Sequence, residues 1–599
     1  MTACLRPLCA LALAALLGAC GSQPTSPLGE LPRTPDATIE QQLQRAEAAQ
    51  PEQAALLRLS AADQAYQKGD FAQARRILQR VPQDSLKPAQ QIFAGTLQAE
   101  LELQRGNHQA ALRALAHPSF AQLPELPVKQ QVRSHLARAH ALEADGQHLA
   151  AARERSYVAP LLETSRRDAN DDAIWGLVSQ LKPSELKATG DQDLDGWLDL
   201  AALVRSGALQ RDPGALGGWR QQNPQHPAAR RLPADLVRLQ EVASQPLERI
   251  ALLLPEQGQL ASVARALRDG FLAAHYQTPD GARPEVLFYD SAQLRSMDDF
   301  YARAQADGVQ LVVGPLEKPL VRQLASKAEL ALPTLALNYA DPGQSNPPQL
   351  VQFGLAAEDE AREVSRRAWE DGHRRAIALV PRGDWGNRVL DAFRESWQAQ
   401  GGTLIATTYI DQPVELARQI GEVLQLRQSE ARASRVRNAL GEDVVTQPGI
   451  RQDVDFVFLA ATPQQAQQVK PTLAFQYAGD LPVYATSHLF SGNPTPAQLA
   501  DLEGIRFCET PWLLGAPSPL RDAAVRAWPQ SNGSLGRLYA MGADAHALAL
   551  QLQRLQVLAG SHLDGLSGTL SLSAGQRVER RLPWAEFRAG RVEPLSPTY

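Results

Sequence analysis

Hydrophobic and polar positions change rhythm twice along this chain of 599 residues. An isolated apolar run, Leu8 to Leu17, opens it behind a single early charge, Arg6. From about Thr38 to Gln245 the sequence is Ala-rich, poor in Gly and free of β-branched runs. Apolar residues there recur at helical spacing, which predicts an all-α region. From Arg249 onward, short apolar runs alternate with amphipathic stretches. The first run, Arg249 to Pro255, is apolar at nearly every position, the mark of a strand buried on both faces.

The alternation predicts two sets of strands. The first comprises the Arg249 run, Val286 to Tyr289, Val309 to Val313, Thr334 to Leu337 and Leu350 to Phe353. Helices are expected from Ala261 to His275 and from Ala292 to Ala306. The second set comprises Ala376 to Val380, Thr403 to Ala406 and Phe456 to Ala460. Its helices are expected over Glu358 to Glu370, Arg388 to Gln400, Val414 to Leu426 and Pro463 to Ala474. Pro482 to Ala485 and the segment beyond Gly504 are expected to link the lobes. A helix from Leu538 to Leu558 and a hairpin, Gly568 to Leu572 with Val578 to Trp584, close the series. Two doubly wound sheets joined by several crossings resemble the type I periplasmic solute-binding fold.

The helical half carries a pattern, Gly-x-(Phe/His)-x-x-Ala, at Gly69, Gly106 and Gly146. These glycines are 37 and 40 residues apart (106 − 69 and 146 − 106), close to the period of a helical hairpin. Each glycine is expected to turn the chain, and the following Ala (Ala74, Ala111, Ala151) to let the helices close up. The pattern resembles the tetratricopeptide repeat. Trp175, Trp197 and Trp219 are expected as wedges between helices. His108, His135 and His148 lack any metal-ligand spacing and are assigned to packing. The prolines of Asn223-Pro224-Gln225-His226-Pro227 are expected to end the region.

The apolar run at the start is too short to span a bilayer and reads as a secretory signal. It ends in Leu17-Gly18-Ala19-Cys20, which resembles the lipobox of bacterial lipoproteins. The resemblance implies cleavage before Cys20 and acylation of that residue. Gly21 and Ser22 follow with no Asp beside the Cys, which by the sorting rule of such lipoproteins favours the outer membrane. Of the other cysteines, Cys4 and Cys9 leave with the signal and Cys508 reads as a buried, inert thiol. The expected organisation is therefore a signal (1–19), a lipidated tether (20–37), a helical repeat domain (38–245) and a two-lobed α/β module (246–599). Net charge is −5, so no basic field favours nucleic acid.

No catalytic constellation emerges, nor any cofactor or metal motif. Ser184-Glu185-Leu186-Lys187 fits Ser-x-x-Lys, yet no Lys-Thr-Gly or Ser-x-Asn stands in suitable order. Ser184, following Pro183, is expected as a helix cap. The paired acids Asp171-Asp172, Asp298-Asp299 and Asp453 with Asp455 are expected at helix starts or in linkers. In a solute-binding fold the ligand lies at the C-terminal strand ends. The candidate cleft residues there are Gln257, Gly258, Gly314, Asn338, Trp385 and Ser487. They describe either a ligand cleft or loops that merely turn the chain. A polar insertion, Gln428 to Asp453, reads as a docking loop or a disordered segment.

The whole chain resembles the LpoA family, outer-membrane lipoprotein activators of a class A penicillin-binding protein. The resemblance rests on the order lipobox, helical repeats, solute-binding-like module. It rests too on the phrases Asn223 to Ala229, Arg451 to Asp455, Tyr477 to Ser487 and Arg580 to Phe587. It implies a non-catalytic protein, lipid-anchored in the outer membrane, that reaches through the periplasm, with possible contact to peptidoglycan. There it would stimulate peptide cross-linking by a bifunctional peptidoglycan synthase. The alternative is a tethered receptor that binds a small ligand between the lobes.

Overall fold

The computed structural model describes residues 27–33, 37–82, 86–206, 214–243, 246–341, 343–344, 346–410, 413–440, 449–558 and 560–596. Cys20 and the apolar run before it lie outside the described residues. Contacts divide the chain into two compact units, at Gln240 and Glu241.

The first unit is helical. Pro51–Gln67 with Phe71–Leu78, Pro88–Leu103 with His108–Leu115, and Val128–Ala144 with His148–Val158 form three hairpins. Gly69, Gly106 and Gly146 occupy the turns with φ of 81°, 74° and 76°, the left-handed region in which a side chain is strained. The same two hydrogen bonds recur at each turn, for example Gly106 N–H to Leu103 O and Asn107 N–H to Glu102 O. Ala74, Ala111 and Ala151 have no exposed surface, so the helices meet at a methyl group in every copy. Arg133 ties the hairpins together: its guanidinium lies 2.6 Å from both Asp63 and Glu100, one carboxylate on each preceding hairpin. Two of the histidines assigned to packing instead meet carboxylates. His135 Nδ1 is 2.6 Å from Glu154, and His108 Nε2 is 3.2 Å from Asp145.

Beyond the period, Thr164–Val178, Gln192–Arg205 and Ala215–Gln222 pack around an aromatic cluster. Trp175 and Trp197 have ring centroids 6.4 Å apart, and His226 stands edge-on to Trp197 at 4.8 Å and Trp219 at 5.2 Å. The His226 Nε2–H donates to Asp193 O while its Nδ1 accepts from Ala228 N–H, so a single neutral tautomer serves both contacts. The prolines beside His226 do not end the region. Helices Pro227–Arg230 and Ala234–Ala243 follow, each starting where proline is tolerated or just after it. Ser184 is not a cap: it sits inside a 3₁₀ turn, Pro183–Glu185, closed by Lys182 N–H on the Glu185 carboxylate. Asp171 and Asp172 lie in the middle of Thr164–Val178, not at its start.

The second unit holds two large sheets, the first parallel and the second parallel except for two antiparallel strands at one edge. The first contains β1 (Arg249–Leu254), β2 (Glu285–Asp290), β3 (Leu311–Val313), β4 (Thr334–Ala336) and β5 (Leu350–Gln352), in the order β2-β1-β3-β4-β5. The second contains β6 (Arg375–Pro381), β7 (Thr403–Ile410), β8 (Phe456–Leu459), β9 (Val483–Ala485) and β10 (Ile505–Cys508). A small antiparallel sheet, β11 (His562–Asp564), β12 (Thr569–Leu572) and β13 (Val578–Arg581), comes next. It packs Leu570 and Val578 into the core of the first lobe. Finally β14 (Trp584–Arg588) and β15 (Arg591–Leu595) return to the second sheet, whose order is β15-β14-β10-β9-β8-β6-β7.

Several expectations are corrected here. β9 is not an interlobe link but pairs in parallel between β8 and β10 inside the second sheet, whereas the chain does cross beyond Gly504, after β10. The crossings lie after β5, after β10 and between β13 and β14. The helix expected from Ala292 starts only at Met297, where the Ser296 side chain accepts from Asp299 N–H; a 3₁₀ turn, Ser291–Gln293, occupies the earlier residues. The polar insertion is helical over Leu426–Leu440, a stretch rich in Ala and Arg, both strong helix formers. Residues 441–448 lie outside the described residues. Helix Gly536–Val557 crosses helix Ala261–Gln277 through two glycines: a Cβ on Gly270 would stand 2.1 Å from Tyr539 O, and one on Gly542 2.0 Å from Leu267 O.

Candidate functional site

The candidate residues fall into two groups at the C-terminal ends of the two sheets. On the first lobe, Gln257 and Gly258 are exposed in the loop after β1, with Gly258 at φ 84°. Gly314 follows β3, at φ 114° and cis to Pro315. A Cβ there would stand 2.0 Å from Leu253 O, so this glycine serves close strand packing. The Asn338 amide ties the loop after β4 to the loop after β3, donating to Leu316 O at 2.9 Å and accepting from Tyr339 N–H. Tyr339 carries the brace further, through its hydroxyl, to Val578 O of β13 at 3.0 Å.

On the second lobe the structure brings Trp385 and Ser487 together through His488, whose ring centroid is 5.0 Å from that of Trp385. Trp385 is not in a loop but in the first turn of helix Asp384–Ala399. Ser487, after β9, donates its backbone N–H to Glu360 Oε2 at 2.8 Å and its hydroxyl to Oε1 at 2.9 Å. Glu360 belongs to the first turn of helix Ala357–Glu370. His488 Nδ1 lies 3.5 Å from the same carboxylate and Arg580 Nη2 of β13 lies 3.8 Å away. Burial alone would raise the Glu360 carboxyl. His488, with Arg580 and Arg537 behind it, overrides that and holds it at about 2.

A second buried pair backs the first. Arg537, at the start of helix Gly536–Val557, bonds Glu509 and also donates to Ser487 O and Phe490 O, both at 2.8 Å. Glu509 has no exposed surface, and burial pushes its carboxyl up despite Arg537. Cys508 beside it is buried, and burial pushes its thiol far up, as suits an inert group. The geometry has a plain chemical meaning. A backbone N–H, a hydroxyl, a His and an Arg converge on a carboxylate at the strand ends, the donor set that holds a carboxylate ligand. Here the carboxylate is the chain's own.

Sequence reasoning missed Glu360, His488, Glu509, Arg537 and Arg580. Glu360 follows Glu358 and Asp359, and such a triplet opening a helix reads as solvated charge on the dipole. Among the described residues, no group of three or more His, Cys, Asp or Glu could hold a metal ion. No described helix is long and apolar enough to cross a membrane.

Comparison with known proteins places this geometry in a family. A protein of Yersinia pseudotuberculosis named penicillin-binding protein activator LpoA is 30% identical over 509 residues, covering 74% of this chain and 76% of its own length. One of the same name from Vibrio cholerae is 28% identical over 595 residues, 97% of each chain. The crystal structure of Haemophilus influenzae LpoA superposes with a TM-score of 0.60 at 25% identity, covering 94% of this chain and 98% of that one. The profile of the LppC putative lipoprotein family matches residues 32–590, and the chain belongs to that family.

Proposed function

We propose that this chain is a non-catalytic activator of a class A penicillin-binding protein, lipid-anchored in the outer membrane through Cys20. The observation that carries the reading is kinship over 97% of the chain with a protein named for that activation. The filled carboxylate site supports it, because Glu360 takes up the donors a receptor would offer to a solute. Activation is then a coupling free energy: the docked protein favours the form of the synthase that cross-links peptides.

The test adds the full chain, purified in detergent, to a class A penicillin-binding protein with lipid-linked precursor. Cross-linked and uncross-linked glycan are scored separately. Cross-linking should rise while this protein alone turns over nothing. No change in either product would overturn the reading and direct attention to solutes. The anchor is checked by metabolic labelling with palmitate, which should mark the wild-type protein and not Cys20→Ser; equal labelling of both would overturn lipidation at Cys20.

A further inference from the structure

Strand β2 ends the first sheet and, among the described residues, pairs only with β1. The Glu285 N–H points inward, to Glu248 O at 2.7 Å. Strand alternation therefore turns the N–H and C=O of Val286 and Phe288 outward, along an open edge. Phe288 is 53% exposed, unusual for a large aromatic in a strand.

Two cavities lie on opposite sides of this strand. One, of about 460 Å³, is lined by Arg249, Leu287, Tyr289, Arg303 and Asp307. The other, of about 250 Å³, is lined by Leu252, Leu254, Ala264, Arg265 and Arg268. Phe288 and Tyr289 border both. The strand's side chains divide accordingly: Leu287 and Tyr289 pack with helix Met297–Ala306, and Val286 with helix Ala261–Gln277. An open edge flanked by a pocket on each face is the geometry of strand addition. Main-chain hydrogen bonds hold the incoming segment, and its alternate side chains enter alternate pockets.

Charge selects the occupant. In the larger cavity Arg249 is paired with Glu285, Arg303 lies over the Tyr289 ring, and Asp307 accepts from the Tyr289 hydroxyl. That side is balanced. In the smaller cavity Arg265 and Arg268 face a single lining acid, Glu256, and among the described residues only Arg268 forms an ion pair, with Asp269. We propose that the β2 edge takes an extended segment of the synthase as an added strand, with a carboxylate side chain of that segment set against Arg265. The inference rests on the activator reading and names the surface through which it works.

The test uses the full chain in detergent and a purified class A penicillin-binding protein. A photo-reactive benzoylphenylalanine at position 288 should cross-link to the synthase. Phe288→Glu and Val286→Pro should weaken binding by about tenfold or more, the second by removing one outward N–H from an edge that tolerates proline. Arg265→Glu should weaken binding and reduce its salt dependence. Phe475→Glu, at an exposed aromatic of the other lobe, should bind as the wild type does. Wild-type affinity in Phe288→Glu, or a cross-link to a second copy of this chain, overturns the proposal. If Val286→Pro does not fold, Phe288→Glu alone decides. Loss of binding and stimulation in the wild type itself overturns the activator reading first.

Discussion

Single residues decide the character of the buried polar site at the second lobe's strand ends, and Glu360 most of all. Its folded pKa lies below the ordinary value of 4.5, so folding favours the ionised form. That contribution is complete above about pH 4.5 and is lost as pH falls through about 2. Glu360→Gln should therefore cost about 3 kcal/mol at pH 7, measured by urea unfolding. The gap to wild type should narrow between pH 4.5 and 2. A gap of equal size at pH 7 and pH 3 would mean that shape, not charge, matters at this position. None of this is legible from sequence. Ser487 and Gly258 could be picked because they end strands, whereas Glu360 becomes special only when Ser487, His488 and Arg580 arrive from segments more than a hundred residues away.

At the scale of elements, the sequence is readable where one local rule governs. The run Ile250 to Leu254 is buried throughout, and the strand it predicts is present. The glycines of the three hairpins adopt the left-handed backbone their spacing implies. Sequence order does not state which strands pair, so β9, only three residues long, reads as a link although it is an inner strand. Whether a helical glycine is replaceable is equally hidden in sequence. Gly542→Ala should destabilise the protein by about 2 kcal/mol in urea unfolding, because the added methyl meets the backbone of the facing helix. Gly176→Ala, in helix Thr164–Val178 with nothing within 4 Å, should stabilise by up to about 1 kcal/mol. Equal effects at the two positions would refute the close crossing.

At the scale of the molecule, two units of different construction share one chain. The helical unit is held by local hairpins and by Arg133 across them. The α/β unit depends on contacts distant in sequence, such as Trp584 Nε1–H on Glu363, 221 residues away. That difference explains why the helical region was readable as a repeat, while the crossings of the α/β region were not. It also bears on what the second unit can sense. Glu360 is attached to the scaffold whose donors it occupies, so its effective concentration beside them is on the order of millimolar or far higher. A solute carboxylate at micromolar level competes at a disadvantage of about a thousandfold or more. At these donors a free carboxylate must displace a competitor that never diffuses away, so the filled site acts as a built-in occupant rather than a vacancy.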